Sequence, residues 1–201
     1  VGRDFVGADR VVLALGDNLF LGGDLPGCLA RGTTHGDGAT IFTTEVDDPR
    51  QFGVVELDAA GRPTAIVEKP SEPISNLVVP GLYFYDNAVL DIAADLKPSA
   101  RGELEITDVN RTYLELGRLH VEQLEKDISW LDTGTPAALA EASNLVRWLE
   151  AAHGAKLGCV EEIAFRCGWI TAEMLARQAD DFGGEYGRYL QHVLEAAGHP
   201  S

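Results

Sequence analysis

The stretch Val11-Val12-Leu13-Ala14-Leu15-Gly16-Asp17-Asn18 decides how the rest of the chain reads. Five consecutive apolar residues signal a short strand, of the kind buried on both faces of a parallel sheet. The run stops at Gly16, and a carboxylate and an amide follow at once. An unpaired carboxylate is costly to bury, so Asp17 belongs at an edge that the sheet leaves open. In open α/β sheets that edge, beyond the carboxyl ends of the strands, is where ligands bind. Asp17 is therefore the first candidate metal ligand.

Outward from this strand, Asp24 to Arg31 reads as a short helix and Ala39 to Val46, rich in β-branched residues, as a second strand. Phe52 to Leu57 and Thr64 to Glu68 form a hairpin around the turn Asp58 to Arg62. Leu77 to Tyr85 reads as one strand with Gly81 inside it, which signals a bulge or a close approach. Asn87 to Leu96 and Ile106 to Leu116 carry helical spacing, the latter with Thr107 as N-cap. Leu119 to Leu124 and Ile128 to Leu131 are further strands. Thr135-Pro136 opens a helix that runs to about Ala152, with Gly154 as its stop. Cys159 to Ala197 reads as three short helices. Strands mixed with helices first, and helices alone afterwards, predict an α/β core over 1–154 and a helical region over 155–201.

Composition sets limits on function. Hydrophobic residues make up 45% and charged residues 24%, an ordinary globular balance. With 32 acidic against 16 basic residues the net charge is −16, which repels nucleic acid and anionic membrane surfaces. No apolar run approaches the roughly 20 residues of a membrane span. Cys159 and Cys167 sit eight residues apart on one predicted helix, about 12 Å along its axis, so structural thiols in a reducing cytoplasm are expected. The five histidines have no zinc spacing, and neither a nucleophile elbow nor a P-loop occurs.

Three groups of residues carry chemistry. Asp17 and Asp132 each follow an apolar strand run, and two carboxylates at one sheet edge can hold one Mg²⁺. The plainer alternative is that each caps the turn that follows it. Glu68-Lys69-Pro70 ends a strand. Pro70 is expected to keep Lys69 extended and so to aim Glu68 and Lys69 in opposite directions, the lysine toward a phosphate and the glutamate toward a sugar hydroxyl. An exposed ion pair is the alternative there. Gly53 and Gly81 leave space for a ligand or for packing. Tyr83 and Tyr85 share one face of their strand, and the charged turn Arg101 to Glu105 reads as a solvated loop.

Six ordered blocks, LGDN (15–18), FGVVE (52–56), EKP (68–70), GLYFYD (81–86), RGELEITDVN (101–110) and WLDTGT (130–135), closely resemble the glucose-1-phosphate thymidylyltransferases. The tail CVEEIAFRCGWI (159–170) resembles the helical C-terminal region of that family. The resemblance implies a Rossmann-like nucleotidyltransferase core. It also implies Mg²⁺-dependent joining of α-D-glucose 1-phosphate to dTTP, with release of pyrophosphate and dTDP-glucose. It places the metal on Asp17 and Asp132, and the sugar-phosphate contacts on Gly53, Glu68, Lys69, Val79 and Tyr83, with Asn18 and Trp130 close by. It further implies a homotetramer, with the tail contributing to subunit contacts and a regulatory nucleotide site. The family's GGxGTRL-type loop does not occur in these 201 residues. An N-terminally truncated mixed sheet with exposed apolar edges, and an inactive or incomplete site, are therefore expected. The competing expectation is a non-catalytic sugar-phosphate-binding or regulatory subunit that assembles with a full-length enzyme. A metal-dependent sugar-phosphate hydrolase lacks a visible general base.

Overall fold

A computed structural model describes residues 2–198 of the chain; Val1 and residues 199–201, His199 among them, lie outside it. The chain divides into two compact units between Leu139 and Ala140. This division falls near the start of α5 (Pro136–His153), while the change of composition in the sequence lies at the end of the same helix, near Gly154.

The first unit is built on β3 (Ala39–Glu45), whose Ala39, Ile41, Phe42 and Thr43 are fully buried. Its neighbours are β8 (Leu119–Gln123), parallel and in register from Ala39↔Leu119 to Thr43↔Gln123, and β7 (Leu82–Tyr85), antiparallel. Beyond β7 lies β1 (Val11–Ala14), also antiparallel. On the other flank, β6 (Leu77–Val78) joins β3 to the hairpin of β4 (Gly53–Leu57) and β5 (Pro63–Glu68). A separate ribbon pairs β2 (Asn18–Leu21) with β9 (Ser129–Asp132), so that Asn18 faces Asp132. The outcome is a mixed α/β fold whose ladders are mostly antiparallel.

Strand alternation generates two cores from one sheet. Ile41, Tyr83, Tyr85, Val55 and Ile66 pack on one face with Val109 and Tyr113 of α4 (Ile106–Glu115) and Val89 of α3 (Val89–Ala94). Phe42, Leu82 and Phe84 pack on the other with Cys28 of α2 (Leu25–Gly32), Leu124 and Ile128. Each of these large side chains contributes roughly 1.5–3 kcal/mol by leaving water. Asp24 caps α2, its carboxylate accepting from Gly27 N at 3.0 Å. A four-residue helix, α1 (Arg3–Val6), occupies the opening segment that shows no pattern in the sequence.

Several expectations are corrected. β1 is not buried on both faces of a parallel sheet. It pairs antiparallel and on one side only among the described residues, leaving Val12 59% and Leu15 39% exposed. An apolar run alone does not report how many neighbours a strand has. The segment 77–85 is two strands rather than one. Four residues along β3, Ile41 to Thr44, face six on the opposite segment, Val78 to Tyr83, which includes Pro80, a residue with no N–H for the ladder. Thr107 is not the N-cap of α4. Glu105 occupies that position without a side-chain cap, and Thr107 turns its hydroxyl elsewhere.

The second unit holds α6 (Val160–Arg166), α7 (Ala172–Phe182) and α8 (Gly184–Ala196), packed around Leu175, Ala179, Leu190, Val193 and Leu194. Thr171 caps α7 by accepting from Met174 N, and Gly183 ends that helix at φ +59°. All three cysteines are free, Cys28 and Cys159 buried and Cys167 exposed.

Candidate active site

The chain leaves β1 through Leu15, whose N–H donates to Gly81 O at 2.8 Å, and turns so that Asn18 N donates to Leu15 O. This tight turn ends the sheet edge and projects Asp17 outward. The Asp17 carbonyl accepts from both Thr133 N (2.8 Å) and Thr133 Oγ1 (2.9 Å), which ties it to the exit of β9. Asn18 locks the junction. Its Oδ1 accepts from Gly81 N (2.8 Å) and Trp130 Nε1 (2.6 Å), while its Nδ2 donates to Asp17 Oδ1 (2.8 Å). Asp132 Oδ1 accepts from Gly134 N at 2.7 Å. A Cβ at Gly134 would sit 2.9 Å from Asp132 Oδ1 and 3.8 Å from Asp17 Oδ2, so the two carboxylates border the same space beside Gly134.

Across the cavity, Gly53 and Glu68 are register partners on the β4–β5 hairpin. Glu68 Oε2 accepts a short hydrogen bond from the Thr107 hydroxyl. Glu68 Oε1 lies 3.7 Å from the Arg101 guanidinium and 3.9 Å from Lys69 Nζ. A side chain at Gly53 would meet Thr107 Oγ1 at 3.0 Å and Glu68 Oε2 at 3.3 Å, so glycine keeps this bond undisturbed. Gly81 answers a packing need instead: a Cβ there would overlap Leu15 at 2.7 Å.

Lys69 departs from expectation. Its φ is +42°, left-handed rather than extended, and its N–H donates to Phe52 O at 3.0 Å. The kink cancels strand alternation, so Glu68 and Lys69 line the same cavity rather than pointing apart.

The walls are aromatic and aliphatic. Trp130 meets Phe52 edge-on at 5.0 Å, and Val79 N donates to Gly53 O at 2.9 Å. Tyr83 stacks on Tyr85 at 5.9 Å, and Tyr85 on Tyr113 at 5.7 Å. Burial, then the negative charges of Glu68 and Asp17, push the Tyr83 phenol far above its ordinary range, so it remains a neutral hydroxyl.

The cavity encloses about 220 Å³. Asp17, Asn18, Gly53, Glu68, Lys69, Val79, Tyr83, Trp130 and Asp132, all expected from the sequence, line it together. Thr107 and Arg101 are the participants that sequence reasoning missed. Thr107 reads as a cap and Arg101 as a loop charge, and only the folded chain brings both to Glu68. No cluster of three or more His, Cys, Asp or Glu able to hold a metal occurs among the described residues. The two carboxylates alone still suit Mg²⁺, which commonly takes one or two carboxylates and completes its shell with water and substrate phosphates.

A family model described as Nucleotidyl transferase matches residues 1–147. The glucose-1-phosphate thymidylyltransferase of Xanthomonas campestris pv. campestris (strain B100) is 50% identical over 191 residues, 94% of this chain. The chain spans 65% of that relative's length. The enzyme of the same name from Mycolicibacterium smegmatis is 49% identical over 196 residues, covering 97% of this chain and 68% of the relative. A crystal structure from Bacillus anthracis, described as a glucose-1-phosphate thymidylyltransferase with sucrose, superposes with a TM-score of 0.64 at 42% identity. It covers 73% of this chain and 58% of that one. A UDP-glucose pyrophosphorylase bound to UDP-glucose gives 0.63 at 26% identity, over 72% of this chain and 58% of that chain. The antiparallel-dominated sheet, the paired carboxylates and these likenesses converge: the chain belongs to the nucleotidyl transferase family, on the branch of the glucose-1-phosphate thymidylyltransferases.

Proposed function

We propose that these residues form the sugar-phosphate and metal half of a glucose-1-phosphate thymidylyltransferase site, joining α-D-glucose 1-phosphate to dTTP with release of pyrophosphate. The observation that carries this reading is that all nine expected residues converge on one cavity. The sugar phosphate attacks the α-phosphorus of the nucleotide in line, and both reactants are anions. The barrier is therefore mostly repulsion and positioning. Lys69 supplies a cation for the incoming phosphate. Glu68, with Oε2 held by Thr107, presents acceptor lone pairs to sugar hydroxyls. Gly53 lets the ring approach the backbone, and Val79, Tyr83 and Trp130 wall it from water. Asp17 and Asp132 would hold Mg²⁺, which neutralises phosphate charge when bound. The reading extends to a cytoplasmic homo-oligomer, tetrameric by resemblance. No helix among the described residues is long and apolar enough to cross a membrane.

Calorimetric titration of the chain with glucose 1-phosphate and MgCl₂ tests the proposal. Saturable binding is expected, in the range of about 1 μM to 1 mM typical of enzyme substrates. Binding should weaken at least about tenfold in Lys69→Ala, which loses a charge-assisted contact. Equal binding by wild type and Lys69→Ala would overturn it.

A further inference from the structure

Gln51 lines the same cavity as Glu68 and Lys69, and it is not among the sugar-phosphate contacts that the resemblance implies. It closes a one-turn 3₁₀ helix, Pro49–Gln51, immediately before β4. That turn is held at both ends. Asp48 accepts from Arg50 N at 3.2 Å and grips the Arg50 guanidinium through two bonds of 2.7 Å, and Pro49 is buried. Phe52 N donates to Pro49 O at 3.1 Å, while Phe52 O accepts from Lys69 N at 3.0 Å. The backbone at Gln51 is therefore already ordered, and only side-chain rotamers are left for a ligand to fix.

The side chain itself is free. Other polar groups of the wall are engaged with one another: Asn18 with Trp130, and Thr107 and Lys69 with Glu68. Apart from the Tyr83 phenol, Gln51 is the one polar side chain lining the cavity without a hydrogen bond or ion pair among the described residues. It is exposed, which places it at the cavity mouth. A carboxamide offers two N–H donors and an acceptor oxygen and carries no charge. A phosphate dianion only accepts and is drawn mainly by charge, which Lys69 supplies. A sugar hydroxyl both donates and accepts, so it can use either end of the amide. Ligand cavities set orientation and selectivity with a small number of such placed polar groups.

We propose that Gln51 is a specificity-determining residue of this cavity, its side-chain amide pairing with a hydroxyl of the hexose rather than with the phosphate. The proposal rests on the reading of the cavity given above.

The test is calorimetric titration of the 201-residue chain, wild type and Gln51→Ala, with glucose 1-phosphate and with its four monodeoxy analogues, each lacking one hydroxyl. Gln51→Ala should weaken glucose 1-phosphate binding about threefold to tenfold, the span of one net hydrogen bond. For the analogue that lacks the partner hydroxyl, the same substitution should cost less than about twofold, because the interaction is already gone. A merely structural glutamine would cost the same across all five ligands. The urea midpoint of Gln51→Ala should stay within about 0.2 M of wild type, since the side chain has no internal partner to lose. Unchanged glucose 1-phosphate binding, an equal loss for every ligand, or a larger fall in the midpoint overturns the proposal while the cavity reading stands. Failure of the wild-type chain to bind glucose 1-phosphate overturns the cavity reading and this proposal with it.

Discussion

Replacing Asn18 with alanine should loosen the site and the fold together, because this one amide joins three elements. Its Oδ1 receives Gly81 N from the turn before β7 and Trp130 Nε1 from β9, and its Nδ2 steadies Asp17. Alanine removes the acceptor and strands two part-buried donors. Each stranded donor is only part-buried and falls in the lower half of the roughly 1–3 kcal/mol cost of an unsatisfied group, about 1–2 kcal/mol, which places the loss for the two near 2–4 kcal/mol. The exposed bond to Asp17 is left out, since water replaces it. With a urea m-value of about 2 kcal/mol/M, the unfolding midpoint should fall by about 1–2 M. Trp130 fluorescence is a suitable probe, because the indole loses its own partner. Asn18→Asp separates the contributions. It keeps the acceptor oxygen but sets a second carboxylate beside Asp17, within reach of the present 2.8 Å bond. Like charges raise a carboxyl pKa in the folded state. A raised folded value means that stability is present below the unfolded value of about 3.9 and lost as pH rises through the folded one. The aspartate variant should therefore approach wild type near pH 3 and fall behind it by pH 7. An alanine variant whose midpoint lies within about 0.2 M of wild type would refute this account of the junction.

Gly53→Ala should compress the Glu68–Thr107 bond, since the new Cβ lies 3.0 Å from Thr107 Oγ1 and 3.3 Å from Glu68 Oε2. A hydrogen bond to a charged group is worth about 1.5–3 kcal/mol, so glucose 1-phosphate binding should weaken about tenfold or more. Unchanged affinity by calorimetry would remove Gly53 from the account. Acid should unfold the first unit partly through Asp86. Burial pushes its carboxyl up, but hydrogen bonds from Tyr113, Gly38 N and Ala88 N and the Arg118 charge outweigh that and leave it below its ordinary value. A depressed folded value gives stability that is present above about pH 3.9 and lost as pH falls through the folded value. Asp86→Asn should flatten the dependence of the urea midpoint on pH in that window. His120 stacks on His35 with ring centroids 3.9 Å apart. Burial, then the His35 charge, lower its pKa. The folded state thus favours neutral His120, and stability should decline as pH falls below about 6.5; His120→Gln should lessen that decline.

Much of the architecture is legible in the chain because local chemistry and tertiary fate agree there. Thr135-Pro136 opens α5 with the Thr135 hydroxyl accepting from Ala138 N, and Gly154 stops it at φ +63°. The hairpin 53–68 and the helices of the second unit follow their patterns for the same reason. Disagreement arises where a long-range partner decides. The apolar run at Val11 reads as an inner strand, yet burial depends on neighbours that periodicity does not count. β2 goes unrecognised because its four residues gain strand character only from β9. Lys69 obeys Phe52 and the cavity rather than the ordinary effect of a following proline. The resemblance gathers Asp17, Glu68, Lys69 and Asp132 as a group, but the Thr107 and Arg101 contacts to Glu68 cross 33 to 39 residues of sequence and carry no local mark.

The central claim is that one cavity holds a hexose phosphate between the Glu68–Lys69 turn and the two aspartates. A crystal structure of the chain with glucose 1-phosphate and MgCl₂ tests it most directly. The account predicts the phosphate beside Lys69 Nζ, the sugar ring over Gly53 with hydroxyls on Glu68, and Mg²⁺ on Asp17 and Asp132. A sugar phosphate bound elsewhere, or bound here with Lys69 and Glu68 turned away from it, would contradict the account.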